Sequence, residues 1–255
     1  MIVSQLLALY DAEMRADPPP DPRVRCERAG AVVREIGDPH CVIYADLTGA
    51  DADAVIADQA AFARATGTSV AWKVFGHDRP PDLGCRLRAA GFAPGKSETL
   101  MAFDLAAGAP QAPHAPGVEA RRVASHADLA EWAAVSGASF GRDDRWRIEG
   151  YATRLADPTI GLFLAWADGR AVASARLELP PGRSIASLWG GGTLPAYRGR
   201  GVYRLLVAAR GEEALRRGYR YLTVEARGTS RPILARLGFV PLTEITEWTL
   251  PAAPE

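Results

Sequence analysis

Leu194-Pro195-Ala196-Tyr197-Arg198-Gly199-Arg200-Gly201-Val202-Tyr203 joins two segments of different period. Before it, Ser184 to Leu194 is an apolar, strand-like run. After it, Gly201 to Arg217 carries Val202, Leu205, Leu206 and Ala209 at helical spacing with charges opposite, so a strand, a glycine loop and an amphipathic helix are predicted in that order. Gly199 and Gly201 permit positive φ and close backbone approach, which lets successive N–H groups converge on one point. The helix start adds unsatisfied N–H groups and a positive dipole end, and Arg198 and Arg200 add charge at the rim. The dipole contributes only about 0.3–2 kcal/mol, so the affinity of such an anion site rests on several N–H bonds acting together.

Outward from this loop, the second half alternates strands and helices. Val118 to Val123 is a short strand candidate. Ala127 to Ser136, with Ser125 as N-cap, and Arg145 to Leu155 read as helices. Gly161 to Trp166 and Ala171 to Leu179 are strand-like and meet at Asp168-Gly169, a hairpin signal. Beyond the central helix come a strand over Tyr221 to Ala226, a short helix over Arg231 to Leu237 stopped by Gly238, and a last strand over Thr243 to Leu250. A mixed α/β sheet with helices on both faces fits this order. No GKS or GKT follows the loop, which excludes a P-loop, and no first GxG turn with a suitably spaced acid points to a dinucleotide fold.

The loop and its setting resemble the GNAT superfamily of acyl-CoA N-acyltransferases. The signature there is Arg or Gln, two residues, Gly, one residue, then Gly or Ala. Arg198, Gly199, Arg200 and Gly201 fill the first four places, Thr193-Leu194-Pro195 replaces a Val-x-Pro segment, and Gly238-Phe239 sits in its usual place. The likeness covers roughly Val118 to Leu250. It implies an α/β (α+β) fold with a twisted, mostly antiparallel sheet flanked by helices, and acetyl-CoA as co-substrate. It also implies main-chain roles for Gly192, Thr193 and Leu194 along the pantetheine arm, and pyrophosphate roles for Arg198, Gly199, Arg200, Gly201, Val202 and Tyr203.

Two places depart from the family pattern. Tyr203 stands where the signature ends in Gly or Ala, so its side chain must turn away from the phosphates or stack beside the cofactor. Leu234 occupies the position where many members carry a tyrosine that protonates the CoA thiolate, and leucine has no proton to give. Ser230, Tyr203 or water are the available substitutes for a general acid. Attack by an amine also needs a base. Glu225 would lie near the point where the central strands of this fold splay apart, and is either that base or a partner of Arg227. Asp143 and Asp144 either attract a cationic acceptor or, for Asp144, cap the next helix. Trp146 and Trp189 are core or pocket wall, and His126 and His114 are helix-start and linker residues. No metal site is supported. The implied reaction is direct transfer of acetyl from acetyl-CoA to a small-molecule or peptide amine, with a non-catalytic acyl-CoA-binding protein as the alternative.

The first half ends similarly. Ser69 to Phe75 reads as strand, Asp82 to Ala90 as helix, then Gly91-Phe92 and a strand over Thr99 to Leu105. The order strand, helix, Gly-Phe, strand thus occurs twice, and a duplicated fold is expected. The first copy lacks the phosphate loop. After the strand Cys41 to Leu47 stands Thr48-Gly49-Ala50-Asp51-Ala52-Asp53, which is acidic and would repel pyrophosphate. Trp72 to Asp78 is its polar-aromatic stretch, structural or acceptor-contacting. The Pro/Ala/Gly-rich Ala106 to Gly117 reads as a linker, giving a degenerate domain over 1–107, a linker over 108–117 and an acetyl-CoA-binding domain over 118–255.

Bulk properties narrow the rest. Thirty basic and 30 acidic residues balance, so no global cationic footprint for nucleic acid exists. No stretch of about 20 apolar residues is present to span a membrane. Met1 to Tyr10 lacks the basic start of a signal peptide and reads as a short amphipathic helix ended by Pro18-Pro19-Pro20. Cys26, Cys41 and Cys85 show no ligand spacing and suggest reduced, mostly buried thiols and a cytoplasmic home. A homodimer is compatible with the sequence, and neither oligomeric state nor acceptor is written in it.

Overall fold

The computed structural model describes residues 2–21, 24–112 and 115–252; His114 lies outside them. The chain folds as two compact units, Met1–Leu100 with Leu242–Glu255, and Met101–Pro241. No helix among the described residues is long and apolar enough to cross a membrane.

The first unit opens with helix α1 (Val3–Tyr10), extended by a π-helical turn (Asp11–Ala16) that stops before the prolines. A hairpin of β1 (Arg25–Ala29) and β2 (Val32–Ile36) follows, then β3 (His40–Ala45), α2 (Ala52–Thr66), β4 (Val70–Phe75), α3 (Leu83–Ala89), the two-residue β5 (Ala93–Pro94) and β6 (Glu98–Asp104). β6 starts in this unit and finishes in the next. The hairpin and α2 carry no period clear enough to be expected from sequence. Val32, Val42, Ile56, Val70, Trp72, Leu83, Leu87 and Phe92 form the core, so Trp72 is structural. Cys26 and Cys85 are exposed and only Cys41 is half-buried, which corrects the expectation of mostly buried thiols.

The second unit continues with β7 (Val118–Arg122), α4 (His126–Phe140), α5 (Arg147–Ala152), β8 (Ile160–Ala167), β9 (Arg170–Glu178), β10 (Ile185–Thr193), α6 (Val202–Arg216), β11 (Tyr221–Ala226) and α7 (Arg231–Arg236). The last strand, β12 (Val240–Leu250), begins here and then pairs antiparallel with β4 of the first unit, from Ile245↔Phe75 to Leu250↔Val70. Sheet order in the second unit is β6-β11-β10-β9-β8-β7. β7, β8, β9 and β10 pair antiparallel in turn, while β10 and β11 run parallel. The sheet is mixed, mostly antiparallel and covered on both faces. α6 packs with Phe163, Ala165, Ala186, Leu188 and Leu222. α4 packs on the opposite side, where Trp132 and Leu129 meet Ile160, Leu162 and Leu164. Ser125 caps α4 as expected, its hydroxyl accepting from the Asp128 N–H at 3.0 Å.

The duplication is visible residue by residue. In each unit a parallel pair is held over three positions, His40↔Val70 to Val42↔Trp72 and Ile185↔Tyr221 to Ser187↔Thr223. In each, a helix then ends in a glycine at φ +92°, Gly91 or Gly238, and the next phenylalanine turns into the core. The Phe92 N–H reaches the Leu87 carbonyl at 3.0 Å and the Phe239 N–H the Leu234 carbonyl at 3.1 Å, the left-handed helix stop that glycine permits.

The expected linker is not a free tether. The compact division falls at Leu100/Met101, ahead of it, and residues 242–255 return to the first unit. Ala109 and Ala115 are buried, and a Cβ on Gly211 of α6 would sit 2.5 Å from Pro110 Cδ. Gly211 therefore exists to let this segment lie on the helix. In a bare helix, Gly→Ala stabilises by about 1 kcal/mol. Here Gly211→Ala is expected to destabilise by about 1–3 kcal/mol through overpacking. Urea denaturation of the variant gives the sign, and a raised midpoint would mean that Pro110 does not pack there.

Candidate active site

β10 and β11 part after Ser187↔Thr223, where the pairing of β10 with β9 also shifts between Trp189 and Gly192. Gly190 takes φ +56° in that irregularity. Leu188 to Thr193 thus keep β9 on one edge and have no strand partner in β11 on the other. Gly191 and Gly192 are needed there for space. A Cβ on Gly191 would meet Tyr203 Cε2 at 2.8 Å, and one on Gly192 would meet Ser139 Cβ at 2.7 Å. The strand is pressed from both faces, and only glycine lets the flanking side chains lie on its backbone.

Beyond Thr193 the chain makes a helical turn over Pro195–Tyr197 and enters the glycine loop. Gly199 and Gly201 adopt φ +77° and +84°, as an anion site of this kind requires. Gly201 is the N-cap of α6 and gives its first turn no side-chain cap, leaving the N–H groups of Val202, Tyr203 and Arg204 directed at the loop. Val202 itself is core, so only its main chain can serve a ligand. Leu194 spends its N–H on the Val172 carbonyl at 2.9 Å. Arg198 donates from Nε to the Thr193 carbonyl at 3.1 Å, bracing the loop. Arg200 lies over the Tyr197 ring, 5.0 Å from its centroid, and 3.6 Å from Asp168.

The proposed proton-transfer residues separate by face. Leu222, Val224 and Ala226 pack with α6, so alternation turns Thr223 and Glu225 to the α4 side. Thr223 and Ser187 share a buried hydroxyl contact of 3.1 Å there. Glu225 is half-buried two positions past it, at the opened end. Tyr203 is on the α6 side, against Gly191, with Ser230 at the start of α7 near enough to act on its phenol, while the Ser230 hydroxyl donates to the Arg227 carbonyl at 3.2 Å. Burial pushes the Tyr203 phenol up, opposed by the Arg210 charge and by Ser230, so it is protonated at neutral pH. Leu234 is fully buried in the core and contributes nothing to the site.

Arg210 gives no sign of its place in the sequence, being one charge among many on a helix that reads as amphipathic. It is buried. It donates from Nε to the Leu206 carbonyl at 2.9 Å, and from Nη1 to the carbonyls of Arg176 at 3.0 Å and Trp189 at 3.3 Å. Its position seven residues after Tyr203, two turns along one helix face, is the available signal.

Two expectations for the α4–α5 connection are corrected. Trp146 is 72 % exposed and is not core. Asp144 neither faces solvent nor caps α5, whose N-cap is Trp146. Asp143 is exposed and paired with Arg145, which brings its pKa down to about 2.

The family model described as Acetyltransferase (GNAT) family matches residues 126–239. Among solved structures, a GCN5-related N-acetyltransferase from Kribbella flavida is 19% identical with a TM-score of 0.72, over 98% of this chain and 95% of that one. A GCN5-related N-acetyltransferase from Sphaerobacter thermophilus is 15% identical with a TM-score of 0.68, over 88% and 78%. A tandem GNAT protein from the clavulanic acid biosynthesis pathway, described without AcCoA, is 18% identical with a TM-score of 0.66, over 99% and 95%. At these identities the likeness is one of fold. No curated protein matches the sequence.

Asp144 ties the α4–α5 connection to α4. Its carboxylate accepts from Ser136 Oγ at 2.5 Å and Arg142 Nε at 2.9 Å, with Arg147 Nε at 3.2 Å. Burial acts to raise its pKa, but the Ser136 bond and the two arginines outweigh it and hold it below the usual value. A depressed folded pKa gives stability that is present above the unfolded value and lost as pH falls through the folded one. Asp144→Ala is expected to cost about 3 kcal/mol near neutrality. Because the variant lacks the group that titrates, the difference from wild type should shrink below the ordinary aspartate value of 3.8. Denaturation curves at several pH values check both.

Proposed function

We propose, from the match of residues 126–239 to the GNAT acetyltransferase family model, that the chain transfers the acetyl group of acetyl-CoA to an amine at one working site in its C-terminal half. The observation that carries this reading is the uncapped start of α6 behind two positive-φ glycines, beside a strand edge left open by β11. Such a cradle suits a pyrophosphate continued by an extended amide-bearing arm. Gly199, Arg200, Gly201 and the main chain of Val202 and Tyr203 hold the phosphates, with Arg198 bracing the loop from its rim. Gly192, Thr193 and Leu194 flank the arm. The co-substrate supplies an acetyl thioester, and the protein's part is to place it in the opening between the strands and handle two protons. Glu225, on the α4 face, takes the proton of the attacking amine, directly or through water. Tyr203, backed by Ser230 on the α6 face, gives one to the departing thiolate. No cysteine lies in the second half, in keeping with direct transfer. The acceptor is a small-molecule or peptide amine, and the setting is cytoplasmic.

The burial of Leu234 favours a second reading, an acyl-CoA-binding protein without turnover. Product formation with a panel of amines separates the two.

Gly201→Asp places a Cβ and a carboxylate in the phosphate cradle, 3.4 Å from Arg204 Nη2 at a left-handed backbone position. It is expected to abolish acetyl-CoA binding while the fold persists. Titration calorimetry beside a circular dichroism melt checks this, and unchanged affinity would refute the loop. Glu225→Gln is expected to keep binding and lower kcat by about 10²-fold. The rate should also lose its dependence on the ionisation of that carboxylate, and an unaltered pH–rate profile would remove Glu225 as the base.

A further inference from the structure

Arg210 is a cation enclosed in the second unit with no carboxylate beside it among the described residues; it bonds only carbonyl oxygens. Enclosing a charge costs several kcal/mol unless it is well paired, so its retention calls for a reason beyond packing. Three contacts indicate one. The carbonyls of Arg176 and Trp189 are cross-strand partners at the last paired position before β10 becomes irregular. Nη1 bridges both. Nη2 and the edge of the Tyr203 ring converge on the same point, since a Cβ on Gly191 would meet Tyr203 Cε2 at 2.8 Å and Arg210 Nη2 at 3.5 Å. One guanidinium thus ties down the end of the strand pairing and sits beside the phenol that lies against it.

We propose that Arg210 is a positioning residue for acetyl transfer, holding Tyr203 against β10 and stabilising the phenolate that forms when Tyr203 protonates the departing thiolate. The inference rests on the acyltransferase reading above. In that step the Tyr203 O–H bond breaks, the proton joins the thiolate sulfur, and the negative charge left on the phenolic oxygen faces Arg210. Solvent returns the proton through the Ser230 hydroxyl. The groups acting on the phenol are few. Its own helix presents Arg210, α7 presents Ser230, and β10 presents only glycine. Burial acts to lower the Arg210 pKa from its ordinary value, and the guanidinium stays charged at neutral pH.

The test uses the full chain with tyrosine labelled at the ring carbon bearing the hydroxyl, the Tyr203 resonance being the one absent from Tyr203→Phe. In Arg210→Met, Tyr203 is expected to begin titrating about one pH unit higher. The kcat should fall about tenfold with KM for acetyl-CoA unchanged, and this loss should vanish when Arg210→Met is placed in Tyr203→Phe. Arg210→Gln, neutral but able to donate to the same carbonyls, should give the same shift and covers the case in which methionine leaves the chain unfolded. The proposal is overturned if both neutral variants titrate like wild type, or if the kcat loss persists undiminished in Tyr203→Phe. Failure of the acyltransferase reading is distinct, showing as wild-type protein that binds no acetyl-CoA in the calorimeter, or that binds it and acetylates no amine of the panel.

Discussion

The parting of β10 from β11 is the constraint on which the second unit depends. Parallel strands gain their stability from evenly spaced hydrogen bonds, and ending the ladder after Ser187↔Thr223 leaves a row of polar backbone groups on β10. That row would be a liability on any ordinary edge. It persists because the strand is held by other means. β9 remains paired through Gly192↔Ser174 and Thr193↔Ala173, Arg210 binds the carbonyls at the start of the irregular stretch, and Tyr203 and Ser139 press on Gly191 and Gly192 from opposite faces. The opening is built, and an extended ligand with amide groups is what its unpaired edge can accept.

The first unit contains the same parting and shows what filling it requires. β3 and β4 separate after Val42↔Trp72, and the carbonyl of the next residue, Ile43, accepts from Arg15 Nε at 3.0 Å. The same guanidinium lies 3.7 Å above the Phe75 ring and pairs with Asp78 at 2.8 Å and with Asp11. His77 joins Asp11 at 2.8 Å. The Phe75-to-Asp78 part of the polar-aromatic stretch is therefore occupied in closing its own sheet. The helix that follows β3 is closed too. Asp51 accepts from the Asp53 and Ala54 N–H groups at 3.0 and 3.2 Å, taking for itself the donors that α6 leaves uncapped. The acidic loop does more than repel an anion, because its first carboxylate already sits where the anion would bind.

Much of this was legible because glycine and periodicity are local signals. Gly199, Gly201, Gly91 and Gly238 each stand at a backbone position that only glycine takes without strain, and the helix of Gly201 to Arg217 and the hairpin at Asp168-Gly169 follow from spacing. What escaped is tertiary. β1 pairs only with β2 and has three of its five residues exposed, while β2 has three buried in a row, so no clean alternation appears. Proline and alanine at Ala106 to Gly117 look like tether until Gly211 is seen to make room for Pro110. Asp144 and Arg210 look like surface charges because spacing alone does not say that the α4–α5 connection folds Ser136, Arg142 and Arg147 onto one carboxylate, or that the carbonyls of Arg176 and Trp189 await the guanidinium across the fold. Trp146 errs the other way, an aromatic ring at a helix start that packing leaves outside.

The exchange of Leu234 for Tyr203 follows from the same geometry. A residue at 234 is fixed by Phe239, whose N–H it receives, and its side chain fills the core between α6 and the sheet. A hydroxyl there would need a partner within that apolar cluster or lose its hydrogen bonds at a cost of about 1–3 kcal/mol. Tyr203 meets no such demand. It leaves the first turn of α6 where the strands have already parted, reaches Ser230 one turn ahead of Leu234, and finds Gly191 beneath its ring. The glycine at 191 and the tyrosine at 203 therefore form one device. A side chain on the strand would displace the ring, and the ring in turn covers the stretch of β10 that the missing ladder exposed. In the proposed chemistry, the proton donor stands on the helix before β11 rather than on the short helix after it, beside the buried guanidinium of Arg210.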